Sequence, residues 1–277
     1  MLRPSLILLS SLLAAQMAMA QGTAGKTAAP PNAQTAATES QQLARTKLME
    51  MAKFLGGTEK FSTRLRVGYE VVQDSGQKIE FGEIREISVQ RPNRVRVEEV
   101  ASHGGRDLTL FDGKSIIQLH GDSGVYAKAP QPGNIDATMQ YFVRDLNMRL
   151  PLAAMLISRF PDELQRRVQS VDYVERTTIM GKSAHHIAAR TANVDFQVWI
   201  AEGTTPLPLR IVLTYRLEAG QPQFWADFSK WNLAPAFAKS TFEFKPPQGA
   251  KQIAFAVQFR TAEQAQADKA QAQGGKQ

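Results

Sequence analysis

From Phe61 to Val71 the chain alternates without a break: Phe61, Thr63, Leu65, Val67, Tyr69 and Val71 in one phase, with Arg64, Arg66 and Glu70 in the other. A period of two over this length specifies a β-strand with one face in the core and one in water. Asp74-Ser75-Gly76 follows as a turn, and Lys78–Gln90 returns as a second strand rich in Ile, Val and charge. Val95–Val100, Asp107–Phe111, Ser115–Leu119 and Val125–Lys128 continue as short strands between Gly-containing turns. Connections this short leave no room for crossovers, so the strands form an antiparallel meander.

The period changes twice. Before the first strand, Leu48, Met51, Ala52 and Leu55 share one face of a helix over Leu43–Leu55 that stops at Gly56-Gly57. Midway, Ile135–Leu156 has Met139, Phe142, Val143 and Leu146 at helical spacing. Pro151 restarts a second short helix over Leu152–Ile157, and Pro161-Asp162-Glu163 marks a third helix start. Strands then resume at Val171–Thr178, Ala184–Arg190, Val194–Ile200, Leu207–Leu217, Gln223–Trp231 and Thr241–Phe244. The fold class is mainly β with a helical insert, an antiparallel sheet of about eleven strands. A one-sided sheet of that size must cover its apolar face, and with only short helices available it curls around them as an unclosed barrel.

The ends read differently. Residues 1–20 carry Arg3, the apolar run Leu6–Ala15 and Ala18-Met19-Ala20, the pattern of a cleaved signal peptide, which places the mature chain in an exported compartment, most simply the bacterial periplasm. Residues 21–42 lack apolar periodicity and read as a flexible leader; 261–277 read as a disordered tail, leaving 43–260 as the folded domain. No later stretch reaches the 18 or so apolar residues of a membrane span. The formal charge of +7 is spread in modest clusters such as Arg91, Arg94 and Arg96, without the basic stripe interleaved with aromatics that nucleic acid needs.

Catalytic motifs are weak. With no cysteine, thiol nucleophiles and Cys-ligated metals are excluded. Gly121-Asp122-Ser123-Gly124 resembles a serine-protease nucleophile loop, but His103 and His120 lie too near in sequence to come from a separate barrel, and the segment reads as a hairpin turn. Gly113-Lys114-Ser115 and Gly181-Lys182-Ser183 lack the leading glycine of a phosphate loop. His185 and His186 adjoin in a strand and point to opposite faces, so no metal site is expected. Glu80, Glu83, Glu86, Glu98 and Glu99 read as outward strand charges. Neither a cofactor nor an enzymatic activity is expected.

Several motifs, in order, resemble the outer-membrane lipoprotein carrier (LolA/LolB-like) superfamily, and within it more closely a family of predicted periplasmic proteins of unknown function. They are Phe61 opening a strand to Asp74-Ser75-Gly76, Arg91-Pro92-Asn93, Phe111-Asp112-Gly113-Lys114, the apolar insert, Trp199-Ile200, Pro206-Leu207-Pro208-Leu209-Arg210, and Phe242-x-Phe244-x-Pro246-Pro247-x-Gly249-Ala250. The resemblance spans about residues 45–255. It implies a helix-covered half-barrel with an apolar cavity for acyl chains, so that a lipid or acylated lipoprotein is the expected guest and membrane-associated donor or acceptor proteins are the expected partners. It also implies that Arg91, beside its proline, latches lid helices. If the cavity exists, its wall draws on Leu65, Val67, Tyr69, Ile211, Leu213 and Tyr215, faced by Phe142, Met155 and Leu156 from the helices; plain core packing is the alternative for each. The competing function on the same fold is a non-enzymatic envelope sensor or adaptor. Oligomeric state is not readable.

Overall fold

The computed structural model describes residues 33–142 and 151–255. The signal peptide, the first part of the leader, the centre of the insert and the tail lie outside these residues. In chain order the elements are α1 (Ala33–Gly57), β1 (Lys60–Val72), β2 (Lys78–Gln90), β3 (Arg94–Ala101), β4 (Arg106–Phe111), β5 (Ser115–His120), β6 (Val125–Pro130), α2 (Ile135–Gln140) and α3 (Phe160–Arg167). Then come β7 (Ser170–Ile179), β8 (Lys182–Arg190), β9 (Val194–Ala201), β10 (Pro208–Tyr215), β11 (Gln223–Asn232) and β12 (Lys251–Ile253). Among the described residues no helix is long and apolar enough to cross a membrane.

All twelve strands form one unclosed sheet, in the order β12-β6-β5-β4-β3-β2-β1-β11-β10-β9-β8-β7. The two meanders β1–β6 and β7–β11 join where β1 pairs with β11, placing Leu65 opposite Phe228 on one side and opposite Arg85 on the other. The pairings are antiparallel except that of β12 with β6, which is parallel. The first turn forms as its residues require: Gly76 takes φ +81°, and Gln73 N–H donates to the Gln77 carbonyl at 2.8 Å. In the β4–β5 turn, Gly113 is at φ +85° and the Asp112 carboxylate accepts from the backbone N–H groups of Lys114 and Ser115 at 2.9 and 2.7 Å.

Three differences from the sequence expectations have physical causes. First, α1 begins at Ala33, ten residues before the expected start at Leu43, because Ala, Gln and Glu favour a helix once a packed segment anchors it. Second, Leu152–Ile157 yields only a 3₁₀ turn at Ala153–Met155, entered through Leu152 at φ 68°. Third, Thr241–Phe244 is not a strand; a 3₁₀ turn at Lys239–Phe242 packs Phe242, with Phe237 and Phe244, onto Leu108, Leu110 and Ile117 on the convex side of β4 and β5. The last strand is instead β12, beyond the Pro246-Pro247 step that breaks any continuous pairing.

The concave face is filled unevenly. Leu48, Met51, Ala52 and Leu55 of α1, each at most 2% exposed, pack with Phe160 of α3 against Val67, Ile187, Ile200 and Phe224. Ile135 and Met139 of α2, with Phe142 and Ala153, cover Phe61, Val89, Val95, Phe111 and Ile116 in the other half. Gly56 ends α1 hard against the insert: a Cβ there would stand 2.7 Å from the Ser158 carbonyl oxygen.

Candidate functional site: a roofed cavity with one polar wall

Between the two packed halves the concave face holds a partly open cavity of about 110 Å³. Its floor is Phe61, Thr63 and Leu65 of β1, Ile87 of β2, Val95 and Val97 of β3, and Phe228 and Trp231 of β11; its roof is Leu55, Met139, Phe142 and the Pro151–Leu156 segment. Trp231 is fixed by its indole N–H, which donates to the Pro208 carbonyl at 3.1 Å, and by stacking on Phe228 at 5.6 Å between ring centroids.

Of the residues expected at the cavity, Leu65, Phe142, Met155 and Leu156 border it. Val67 and Ile211 lie in the core packed with α1, and Tyr69, Leu213 and Tyr215 are half-buried against that core. The reason is α1 itself, whose apolar stripe occupies the β7–β11 half and leaves the space under the insert. Phe61, Val95, Val97, Met139 and Trp231 were missed. Phe61 and Val95 carried a signal, since their alternation continues that of Leu65 across β1 and β3.

One wall is polar. Register carries the inward phase of β1 across the sheet, so Leu65 lies beside Arg85, Arg85 beside Glu99, Glu99 beside Asp107 and Asp107 beside His120. In the next rows Glu83 faces Val67, and Thr109 faces Gln118. Glu83 and Glu99 therefore point inward, which corrects their assignment as outward charges. Glu80, Glu86 and Glu98 do face out, Glu80 accepting from the Trp225 indole at 3.3 Å, Glu86 pairing with Arg64 and Glu98 with Arg96. Arg85 Nε donates to Glu83 and lies 3.3 Å from Glu99 Oε1. Burial opposes the Arg85 charge, but Glu99 and Glu83 outweigh it and hold the guanidinium above its ordinary pKa. Burial pushes the Glu99 carboxyl up, with Glu83 and Asp107 adding to it and Arg85 opposing. The hydrogen bond to Asp107, at 2.9 Å, raises the His120 imidazole against the effect of burial. Gln118 Oε1 is enclosed and has no hydrogen-bond partner.

Ile135 N–H at the start of α2 donates to the Pro92 carbonyl at 2.8 Å, and two further contacts hold the Leu156–Ser158 end of the insert. Arg91 Nη1 donates to the Thr58 carbonyl at 2.5 Å, just past α1, and Nη2 to the Leu156 carbonyl at 2.9 Å, on the insert. Burial lowers the Arg91 pKa. The second tie is Asp136 at the start of α2, which accepts from Ser158 N–H at 2.9 Å and from the Ser158 hydroxyl at 2.7 Å.

The weak catalytic motifs fold as turns and surface pairs. The Ser123 hydroxyl reaches only the His120 carbonyl, at 3.5 Å, while His103 faces Asp122 at 3.0 Å. His186 stacks on Trp199 while His185 meets the Tyr173 hydroxyl at 2.8 Å, so the pair diverges. Among the described residues no group of three or more His, Asp and Glu is placed to hold a metal ion.

Residues 44–256 match the model of a family described as "Predicted periplasmic protein (DUF2092)". No curated protein matches. Solved structures that resemble this chain include an uncharacterized conserved protein from Thermus thermophilus, at 11% identity and TM-score 0.45, covering 77% of this chain and 99% of that one. The lipoprotein LppX of Mycobacterium tuberculosis aligns at 14% identity and TM-score 0.44, over 70% of this chain and 97% of its own. A LolA superfamily protein from Nitrosomonas europaea aligns at 10% identity and TM-score 0.38, over 74% and 98%.

Proposed function

The chain belongs to the DUF2092 family of predicted periplasmic proteins, and from that premise we propose that it is a non-catalytic carrier that holds the acyl chain of a lipid or lipoprotein under the helical insert. The observation that supports this most is the roofed cavity on the concave face: an apolar floor, an apolar roof, and an insert whose Leu156 carbonyl is held to the barrel by Arg91. Such a site needs no reacting group, only greasy walls and a cover that opens.

The magnitudes fit a reversible carrier. At about 0.8 kcal/mol per buried methylene, roughly ten methylenes supply about 8 kcal/mol, a micromolar dissociation constant before ordering costs. The cavity of about 110 Å³ is smaller than the roughly 150 Å³ that accommodates one benzene ring. A long chain therefore fits beneath the insert only with the insert shifted, which makes Arg91 the latch: held to the Thr58 carbonyl beside α1 through Nη1, it holds the Leu156 carbonyl of the insert through Nη2, and the latter bond breaks on opening.

The experiment is native mass spectrometry of protein released gently from the periplasm. The carrier should appear with an added mass of one lipid or acyl group that gentle activation removes. A bare polypeptide that also fails to take up alkyl chains supplied in vitro would defeat the proposal and leave the sensor or adaptor role as the better use of this fold.

A further inference from the structure

We infer that the guest is an amphiphile with an amine-bearing head, its ammonium seated on the oxygens of Glu99 and Gln118 and its alkyl chain lying on Phe61, Val95, Phe142 and Trp231. This rests on the reading of the cavity as a binding site for an apolar chain, and adds the chemistry of the other end.

The polar wall is not a solvated surface. Thr109, Gln118, Arg85 and Glu99 come from four successive strands and border the same cavity as the apolar residues. Their hydrogen bonding is incomplete in one direction. Arg85 is held by Glu83, and Glu99 stands farther off, its Oε1 3.3 Å from Arg85 Nε. Asp107 is taken by His120. One guanidinium thus serves two inward carboxylates, Glu83 and Glu99, whose side chains are only 11% and 28% exposed, so the wall carries excess negative charge where water is scarce. Gln118 Oε1 adds an enclosed acceptor without a donor, an unfavourable state away from water. Burial first, and after it Glu83 and Asp107, push the Glu99 carboxyl up against the pull of Arg85.

A head that brings both positive charge and N–H donors corrects each defect at once. An ammonium offers three donors and no acceptor, enough for a Glu99 oxygen, the Gln118 carbonyl oxygen and one further contact. A carboxylate or phosphate head meets Glu83 and Glu99 on either side of the only guanidinium in this row. A hydroxyl head satisfies Gln118 but leaves the charge. The structure therefore ranks alkyl heads as amine first, alcohol second and acid last.

The test compares dodecylamine, dodecanol and dodecanoate, each below its micellar concentration, by titration calorimetry at neutral pH. The amine is expected to bind at least tenfold more tightly than the alcohol, with the acid weakest, and in Glu99→Gln the advantage of amine over alcohol should shrink to within threefold. Equal affinities, or a preference for the acid, overturn the inference while leaving the apolar cavity in place. An amine advantage that survives intact in the Glu99→Gln variant overturns it too. The wild-type ranking alone decides the matter if the variant does not fold. Binding of none of the three removes the cavity proposal and this inference together.

Discussion

Replacing Arg91 by methionine keeps the aliphatic stem and removes both donors, of which the one to the Leu156 carbonyl ties the insert down and the one to Thr58 stays within the barrel side. A hydrogen bond from a charged donor is worth about 1.5–3 kcal/mol. Loss of the enclosed Arg91 Nε, which has no partner, offsets the lost Thr58 bond in overall stability. The loss at the insert is then about 2 kcal/mol, or roughly a thirtyfold rise in the population with the insert open. Amide hydrogen exchange resolves where that loss falls. Met155 N–H, bonded to the Leu152 carbonyl at 2.9 Å, Leu156 N–H, bonded to the Ala153 carbonyl at 3.0 Å, and Ser158 N–H, bonded to Asp136, are the reporters on the insert. Their protection should fall about thirtyfold in the variant, while amides of β1 paired to β2 change by less than about threefold. Unchanged protection at 155–158 would refute the latch. An equal fall everywhere would show instead that Arg91 supports the whole fold.

Three further outcomes follow from the same geometry. Because the folded form holds the Glu99 proton more tightly than the unfolded chain does, stability attributable to this group falls as pH rises from the ordinary carboxylate value through the raised one; the urea midpoint of Glu99→Gln should gain on wild type over that window, and a constant difference would contradict it. His120 has the same sense at higher pH: its pairing with Asp107 stabilises fully below the unfolded value of about 6.5 and is lost as pH rises through the raised folded value, so His120→Asn should be less stable than wild type in acid and converge with it in base. On the convex face, Gly68 is the flat seat of Trp225, and a Cβ there would run into the indole ring; Gly68→Ala should cost about 1–3 kcal/mol in denaturant and expose Trp225 to acrylamide, leaving Trp231 unaffected.

The elements legible in the sequence are those whose two faces differ most. β1 alternates over Phe61–Val71 because its concave face is core and its convex face carries Arg64 and Arg66, so strand, phase and turn could all be assigned. α1 was legible from Leu48 to Leu55 for the same reason. Phe242-x-Phe244 misleads because its alternation serves a cap on the convex side of β4 and β5, a surface that is apolar only where this segment covers it. The cavity was half legible. Alternation identifies inward residues such as Ile211 and Leu213 but not which of them a helix will cover, and that depends on where α1 docks. The polar wall was missed by taking charge as outward by default; carrying the phase of Val89 and Ile87 back along β2 places Arg85 and Glu83 on the same side, and only the tertiary register shows Glu99 joining them.

The most direct test of an acyl chain under the insert uses Trp231, the one tryptophan on the concave side, among the three in the chain. Trp199 and Trp225 stand on the convex face, interleaved with Arg66 and Arg210. In Trp199→Phe/Trp225→Phe, titration with an alkyl chain brominated midway along its length should quench Trp231 saturably at one chain per protein. Emission that stays unquenched, or quenching of Trp199 and Trp225 instead in Trp231→Phe, would put the chain on the outside of the barrel or nowhere at all.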